Sequence, residues 1–386
     1  MKKLLIGTSA LVAAGLVAGA AHAADPIKLN IGGFAGTWVA YADQDEGFLG
    51  TTETTAVDVK GDAEVIFTGS TTLDNGLKVS FKSEMEAGGR DKNAAGATND
   101  AIDEYNISVA GSFGTVMMGA DDTALAAIAV TSPRVGGRLY GGAFSEGDNV
   151  IGANVLAPGG IAAPNATFVN TGGDSESISY ISPSFAGFTV GATYMPDAGQ
   201  VDDNFIQPNG LNTTDAYGVG AAYNGEFSGV GIKVAGGWLT GDVSNQTAVA
   251  VSTIDDYNEY QFGANLSYAG FTFGGGMRFI DQDFVGGTEA DAFAWDLGLS
   301  YKTGPYGVSL AYFDSVAANA LAGIDEDRRQ VWELNGEYTM GPGVALVGGL
   351  AHVSFENGVA SGAPAAVRAA NENDGWVATT GITLSF

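Results

Sequence analysis

Residues 57–86 read VDVKGDAEVIFTGSTTLDNGLKVSFKSEME, and apolar and polar residues alternate on both sides of a tight turn. Val59 and Val65 fall on one face of an extended chain and Lys60 on the other, because side chains in a strand point to opposite sides with period two. The Asp-Asn-Gly sequence at 74–76 is a strong signal for a hairpin turn. The stretch therefore predicts a β-hairpin with one apolar face and one charged face.

The same unit repeats along the chain, about ten alternating residues followed by a link. Short links alternate with long ones that are rich in Gly, Ala, Asn and Asp. Short turns on one rim and long loops on the other are the layout of outer-membrane barrels. The pattern predicts sixteen strands, at 28–42, 56–72, 77–88, 102–111, 114–121, 175–183, 187–196, 215–224, 229–240, 257–268, 271–282, 291–303, 307–315, 328–340, 343–355 and 375–386.

Aromatic residues on the apolar faces indicate which solvent those faces meet. Phe271 and Phe279, for example, lie eight residues apart, which is about 26 Å along a strand and roughly 20 Å of height at ~40° tilt. This spacing fits an apolar band with aromatic girdles at both membrane interfaces. The opposite faces carry charges that a packed core would not accept unpaired, so they are expected to be wet.

Backbone polar groups in lipid must all be paired, so such a sheet has to close on itself. The strand ending in Phe386 is expected to pair with the first strand, near 29–41. Sixteen strands enclose an aqueous lumen, whereas eight would fill with side chains. The predicted fold is an all-β, 16-stranded antiparallel transmembrane barrel with short periplasmic turns and long external loops.

Residues 1–23 have the features of a removable secretory signal peptide. Two lysines precede an apolar run that ends at Ala20, and Ala-His-Ala at 21–23 fits a cleavage site. A transmembrane anchor is the alternative, but the run is short for a spanning helix. The barrel domain is therefore expected to cover 24–386.

Composition argues against several classes of function. Sixteen basic residues stand against 44 acidic ones, a formal net charge of −28, whereas nucleic-acid binding needs a basic patch. There is no cysteine, and His352 is the one histidine beyond the signal peptide, so Cys–His, Ser–His and zinc sites are not expected. No enzyme activity and no cofactor are predicted. The acidic clusters at 43–46 and 325–327 could hold Ca²⁺ through oxygen ligands, the alternative being solvated loops.

Several stretches resemble the general porins of Gram-negative bacteria. They are LNIGGF at 29–34, LDNGL at 73–77, GSFGTV at 111–116, SISYISPSFAGF at 177–188 and the terminal Phe386. The similarity covers the whole mature chain, and the order and spacing of the motifs make it specific. It implies a homotrimer of sixteen-stranded barrels in the outer membrane, through which small hydrophilic solutes and ions diffuse. It also implies that the barrel-assembly machinery recognises the carboxy-terminal strand through Thr380, Ile382, Leu384 and Phe386.

The resemblance gives a role to the long link from Asp121 to Asp174. In this family the third external loop folds into the lumen and narrows it, and a link of this length usually indicates function or disorder. Residues 124–130 are expected to form a short helix. Arg134 and Arg138 either line the constriction or bind lipopolysaccharide. The acids assigned to the constriction are Asp121, Asp122, Glu146 and Asp148.

A basic wall is expected opposite the loop, at Lys60, Lys78 and Lys82 on the wet faces of the second and third strands. Facing charges of this kind set up a transverse field that orders water and selects small polar solutes. The alternative is that all of these are merely solvated charges. The further lumen charges predicted are Glu64, Glu84 and Arg278.

The sequence thus predicts a non-specific diffusion channel, weakly cation-selective because net negative charge raises the local cation concentration. Three alternatives remain open. One is a barrel with a plugged lumen that serves as an adhesin or structural surface protein. The second is a substrate-specific channel, which aromatic residues along the lumen would support, although charged and small residues are expected there. The third is a soluble secreted β-protein.

Overall fold

The computed structural model describes residues 26–45, 48, 55–88, 102–136, 162–198, 213–243, 254–284, 288–289, 291–319 and 323–386. Within these residues the chain is almost entirely antiparallel sheet. The strands are β1 Lys28–Gln44, β2 Val57–Thr72, β3 Lys78–Gly88, β4 Ile102–Gly111, β5 Gly114–Ala120, β6 Glu176–Ile181, β7 Phe188–Asp197, β8 Thr213–Phe227, β9 Val230–Val243, β10 Ile254–Tyr268, β11 Phe271–Phe284, β12 Thr288–Glu289, β13 Ala292–Thr303, β14 Tyr306–Ala317, β15 Asp327–Gly341, β16 Val344–Glu356 and β17 Glu372–Ser385.

The sixteen predicted strands are confirmed, each with its ends within three residues of the expected position. β12 was not predicted. It has two residues, pairs only with the end of β11 and extends that hairpin beyond the barrel wall. Because β11 also pairs directly with β13, the barrel itself has sixteen strands.

The barrel closes through β1, as expected. This strand pairs with β2 on one side and with β17 on the other, both antiparallel, so that Trp38 lies opposite both Lys60 and Gly381. Within the described residues, each of the sixteen strands of the wall pairs with a neighbour on both sides, and this closure is the condition for crossing a bilayer.

The two faces of the sheet are arranged in the opposite way to those of a soluble β-sandwich. Apolar side chains point outward, and Phe273 is 51 % exposed. Charged side chains point inward, and Glu259 is 0 % exposed. In a soluble sandwich the apolar faces would pack against each other, so the outward face of this sheet suits lipid.

The outward aromatic residues form pairs at two heights. Near the short-turn end Phe271 packs on Tyr301, with ring centroids 4.3 Å apart. Eight residues along the same strand pair, Phe279 packs on Phe293 at 4.7 Å. This confirms the predicted spacing of two girdles.

The inner face carries large apolar residues as well as the charged and small residues that the sequence predicted. A cluster of buried apolar residues lines the inner side of β14 to β17 and β1, and it includes Trp38, Phe313, Val331, Phe355 and Val377. Alternation alone cannot reveal it, because these positions sit among charged inward neighbours such as Glu333.

Two short helices lie in the described links. α1, Ala124–Ile128, confirms the predicted helix and begins at Thr123, whose side chain accepts a hydrogen bond from the Ala126 N–H. α2, Ala365–Ala369, was not predicted. No helix in the described ranges is long and apolar enough to span a membrane.

Candidate functional site

The link after β5 enters the barrel and lies along its inner wall. Its first part, 121–136, runs from β7 to β15, and strand side chains bind its backbone along the way. These hydrogen bonds include Ala124 N to Thr193 Oγ1 at 2.8 Å, Gln261 Nε2 to the Leu125 carbonyl at 2.9 Å, Ser132 N to Asp296 Oδ1 at 3.0 Å, Val135 N to Ser309 Oγ at 3.0 Å and Gly136 N to Glu337 Oε2 at 3.1 Å.

The returning part, 162–175, follows the same side of the barrel. The bonds that hold it include Ala162 N to Asp327 Oδ2 at 2.5 Å, Ser315 Oγ to the Pro164 carbonyl at 2.6 Å, Thr167 Oγ1 to Asp296 Oδ2 at 3.0 Å and Val169 N to Gln261 Oε1 at 2.7 Å. Both described parts therefore fold inward, as the resemblance implied. We call the inner side of β7 to β15, which they cover, the loop wall.

Arg134 ties the loop to two acids of the loop wall. Its guanidinium lies 3.6 Å from Asp296 and 3.3 Å from Glu333, and both carboxylates are completely buried. Buried charges are stable only when paired. Arg134 thus points into the barrel, and its expected alternative role in binding lipopolysaccharide does not fit this placement.

A second arginine, which lies on the loop wall, binds the loop. Arg278 on β11 donates two hydrogen bonds to Glu259, at 2.9 and 3.1 Å, and one to the side-chain oxygen of Asn170 in the loop, at 2.5 Å. Thr171 of the loop donates to Glu259 as well. Arg278 was predicted to be a lumen charge. It does face inward, but it is buried beneath the loop.

Glycines on the inner faces make room for the loop. A Cβ added to Gly263 would overlap the carbonyl oxygen of Val130, and one added to Gly218 would overlap the Leu125 side chain. The signal was present in the sequence as inward glycines on successive strands. These glycines mark the path of the loop.

On the other side, β2, β3 and β4 carry inward carboxylates at similar heights. Glu64 lies opposite Glu86, and Glu84 opposite Glu104. Their oxygens, with those of neighbouring acids, form three overlapping groups whose members lie within 4.8 Å of one another: Glu64, Glu86 and Asp103; Glu84, Asp103 and Glu104; and Glu104, Asp121 and Asp122. We call this surface, with the loop acids Asp121 and Asp122, the acidic wall.

Lys82 lies within the acidic wall. Its ammonium is 3.1 Å from Glu84, 2.8 Å from Glu104 and 3.1 Å from Asp121. Asp121 also accepts a hydrogen bond from Asn106. Because Asp121 is the first residue after β5, this cluster fixes the point where the loop leaves the barrel.

A family profile described as Gram-negative porin matches residues 7–358. The chain belongs to this family. It is a channel of the outer membrane for passive diffusion of solutes, and its family and fold point to a channel rather than an enzyme. In outer-membrane barrels the short turns are periplasmic and the long loops external, and the two rims of this porin are named accordingly.

Solved porins share the fold of this chain. The anion-selective porin from Comamonas acidovorans is 18% identical, with a TM-score of 0.58, over 94% of this chain and 100% of that one. OmpT of Vibrio cholerae, described in a trimer form, is 13% identical, with a TM-score of 0.57, over 94% and 100%. A variant of the Rh. blastica porin is 15% identical, with a TM-score of 0.53, over 93% of this chain and 100% of that one. No curated protein gives a significant match.

The porin structure does not bring the three predicted lysines together. Lys78 is the first residue of β3, at the periplasmic end, and Lys82 lies four residues above it. Lys60 lies eight residues along β2 from Thr68, the partner of Lys82, which is about 26 Å along the strand. Lys60 pairs with Asp58 at 2.6 Å. Each lysine faces the lumen, but they do not form one basic wall at one height.

The remaining predicted residues fall in several places. Glu146, Asp148 and Arg138 lie outside the described residues. In the cluster at 325–327, Asp325 pairs with Arg368 at 3.1 Å, and Asp327 accepts backbone N–H groups of the porin. His352 faces outward near the external rim, beside Trp376 and 3.4 Å from Asp374.

Proposed function

We propose that this porin is a non-specific channel for small hydrophilic solutes that favours cations. The observation that carries the proposal is the division of the lumen. The described parts of the loop cover the wall from β7 to β15, and their backbone and Arg134 pair with the acids there. Among the described residues, the acidic wall of β2 to β4 holds more carboxylates than cations, with Lys82 in its midst, and this excess of negative charge concentrates cations in the water path.

We also propose that the third loop forms the constriction, with Asp121 and Asp122 at its edge. Lys82 acts there to hold the loop, and Lys60 is neutralised by Asp58. The transverse field expected between a basic wall and an acidic loop is then weak. The acid-rich side dominates selectivity.

Reversal potential tests this proposal. In a KCl gradient across a planar bilayer, the porin is expected to pass K⁺ in preference to Cl⁻. The double variant Glu84→Gln with Glu86→Gln is expected to lower the K⁺/Cl⁻ permeability ratio by about twofold. Glu372→Gln removes an exposed acid that faces outward at the external rim, and it serves as the control. Anion preference in the wild type would contradict the proposal.

Liposome swelling separates an open lumen from a plugged one. Proteoliposomes are expected to swell in small sugars at rates that fall with solute size. A porin that admits no sugar would support the reading as a plugged adhesin or structural barrel.

We propose a homotrimer whose contact face is the outer side of β1 to β3. Outward positions there are mostly aliphatic or small, as at Val39, Val57 and Val59, whereas the paired aromatics that suit a lipid interface lie on β7 to β17. Light scattering in detergent is expected to give three copies, and Val59→Arg to give single copies. A monomeric wild type would contradict this.

The terminal segments complete the proposal. Residues 1–23 are removed on export, so the outer-membrane form begins at Ala24, which amino-terminal sequencing tests. Thr380, Ile382 and Leu384 share the outward face of β17, where the barrel-assembly machinery can reach them. Lipopolysaccharide would surround the outward face above the external aromatics.

A further inference from the structure

Four lysines line the periplasmic mouth of the barrel. Lys28 and Lys78 are the first residues of β1 and β3, Lys233 is the fourth residue of β9, and Lys302 is the second-to-last residue of β13. In each case the lysine is within four residues of the periplasmic end of its strand. We call them the lysine ring.

All four point into the lumen. Strand register places Lys28 opposite Ser70, Lys78 opposite Thr72, Lys233 opposite Asn265 and Lys302 opposite Gly307. Each of these partners lies an even number of residues from the inward-facing side chains of its strand, so it faces inward too. Lys28, Lys233 and Lys302 are exposed, and Lys78 is half-buried. The strands that carry them lie on different sides of the barrel, so the ring surrounds the mouth.

The ring differs from the cations elsewhere. Within the described chain none of its four ammonium groups forms an ion pair. By contrast, six cations farther from the periplasmic turns pair with carboxylates: Lys60, Lys82, Arg134, Arg278, Arg328 and Arg368.

Acids are few at this height. Among the described strand residues, Glu226 and Glu337 are the inward acids within four residues of a periplasmic turn, and Glu337 accepts a hydrogen bond from Gly136 N. Asp74 lies in the turn itself, outside the strands, and the backbone oxygen of Phe386 is held by Gly33 N at the rim. Among the inward strand side chains described at this height, four lysines thus stand against two acids, so these side chains together give the lumen surface a net positive charge there.

The acidic wall begins well above the ring. Glu84 is six residues from Lys78 on β3, about 20 Å along the strand and roughly 15 Å of height. The screening length at physiological salt is about 8 Å. The two regions therefore hold separate counterion populations, cations beside the acidic wall and anions beside the lysine ring.

We propose that this change of charge along the pore makes the channel rectify, an inference that rests on the proposed diffusion function. When the external side is positive, cations move from the acidic wall toward the ring and anions move from the ring toward the acidic wall. Both accumulate where they meet, and the conductance rises. The opposite polarity draws them apart and depletes the lumen of carriers, so the current is smaller.

The test is the current–voltage relation of single channels in planar bilayers of known orientation. The protein has no cysteine, so Ser112→Cys in a periplasmic turn, treated from one side with a thiol reagent too large to enter the lumen, reports the orientation. At ~0.1 M KCl the conductance with the external side positive is expected to be about 1.5- to 2-fold larger, and the ratio should approach one at ~1 M, where screening shortens to about 3 Å.

Variants assign the effect to the ring. Lys28→Gln, Lys78→Gln, Lys233→Gln and Lys302→Gln together are expected to make the relation linear while the channel stays open. Lys302→Gln alone should lower the ratio. The matched control Lys60→Gln removes one inward lysine far from the mouth and should not lower it.

A linear relation in the open wild-type channel at low salt would overturn the inference and leave the channel function intact. So would a larger conductance of opposite polarity, or rectification that survives in the fourfold variant. Absence of any current from the wild type would overturn the proposed function itself, and the inference with it.

Discussion

The loop wall and the acidic wall arise from the same alternating sequence pattern, yet their charged residues are in different states. On the loop wall, Asp296 and Glu333 are buried and paired with Arg134. On the acidic wall, several carboxylates share one partly exposed lysine. The difference lies in charge balance: on the loop wall a cation of the loop pairs with the inward acids, whereas on the acidic wall the described acids outnumber the lysine among them, although Glu64 and Glu84 there are also buried.

The largest expected effect comes from removing the buried ion pairs of the loop wall. Arg134→Ala leaves Asp296 and Glu333 without their cation, which should weaken docking of the loop by about 3–5 kcal/mol. Hydrogen exchange of the backbone amides at 124–136 and 162–175 is expected to accelerate, and single-channel current noise to increase. Arg134→Lys, which keeps the charge, should retain most of the protection. Unchanged exchange in Arg134→Ala would mean that the arginine does not hold the loop.

A smaller effect is expected where the loop leaves the barrel. Lys82 is partly buried among three acids, so Lys82→Met should cost about 2 kcal/mol, between the values typical of exposed and of buried pairs. Lys60→Met breaks one exposed pair with Asp58 and should cost less than about 1 kcal/mol. Exchange at 121–128 measures both. Equal effects would show that the Lys82 cluster has no special role in anchoring the loop.

The smallest effect concerns the space beneath the loop. Gly263→Ala places a methyl group against the Val130 carbonyl, and such overpacking should weaken docking by about 1–2 kcal/mol. Gly231→Ala, on the neighbouring strand but away from the loop, meets Ser267 Cβ at 3.4 Å, an ordinary contact. Exchange at 128–133 should accelerate in the first variant only. If both variants behave alike, steric fit does not explain the inward glycines.

The barrel could be predicted from the sequence because each strand carries its own signal. Alternation and tight turns such as 74–76 are local, and the eight-residue spacing of Phe271 and Phe279 follows from strand geometry alone. The ends of the strands were therefore found to within three residues. The side facing lipid followed from the same pattern.

The interior was harder to predict because its contacts are long-range. Arg134 and Asp296 are 162 residues apart, and nothing near either residue indicates the other. Alternation along the sequence places Lys60, Lys78 and Lys82 on the face that points into the lumen. Their heights along the barrel, however, depend on the register between strands. Trp38 and Phe313 were missed because the prediction assumed that every inward position meets water.

Thiol reactivity of single cysteines tests the division of the lumen most directly. Ser80 on β3 faces the open side of the lumen, whereas Ser309 on β14 is 1 % exposed and accepts a hydrogen bond from Val135 N of the loop. In the open channel, a small cationic thiol reagent is expected to modify the Ser80→Cys variant and reduce its current at least about tenfold faster than it modifies the Ser309→Cys variant. Equal rates at the two positions, or faster reaction at position 309, would show that the loop does not cover that wall.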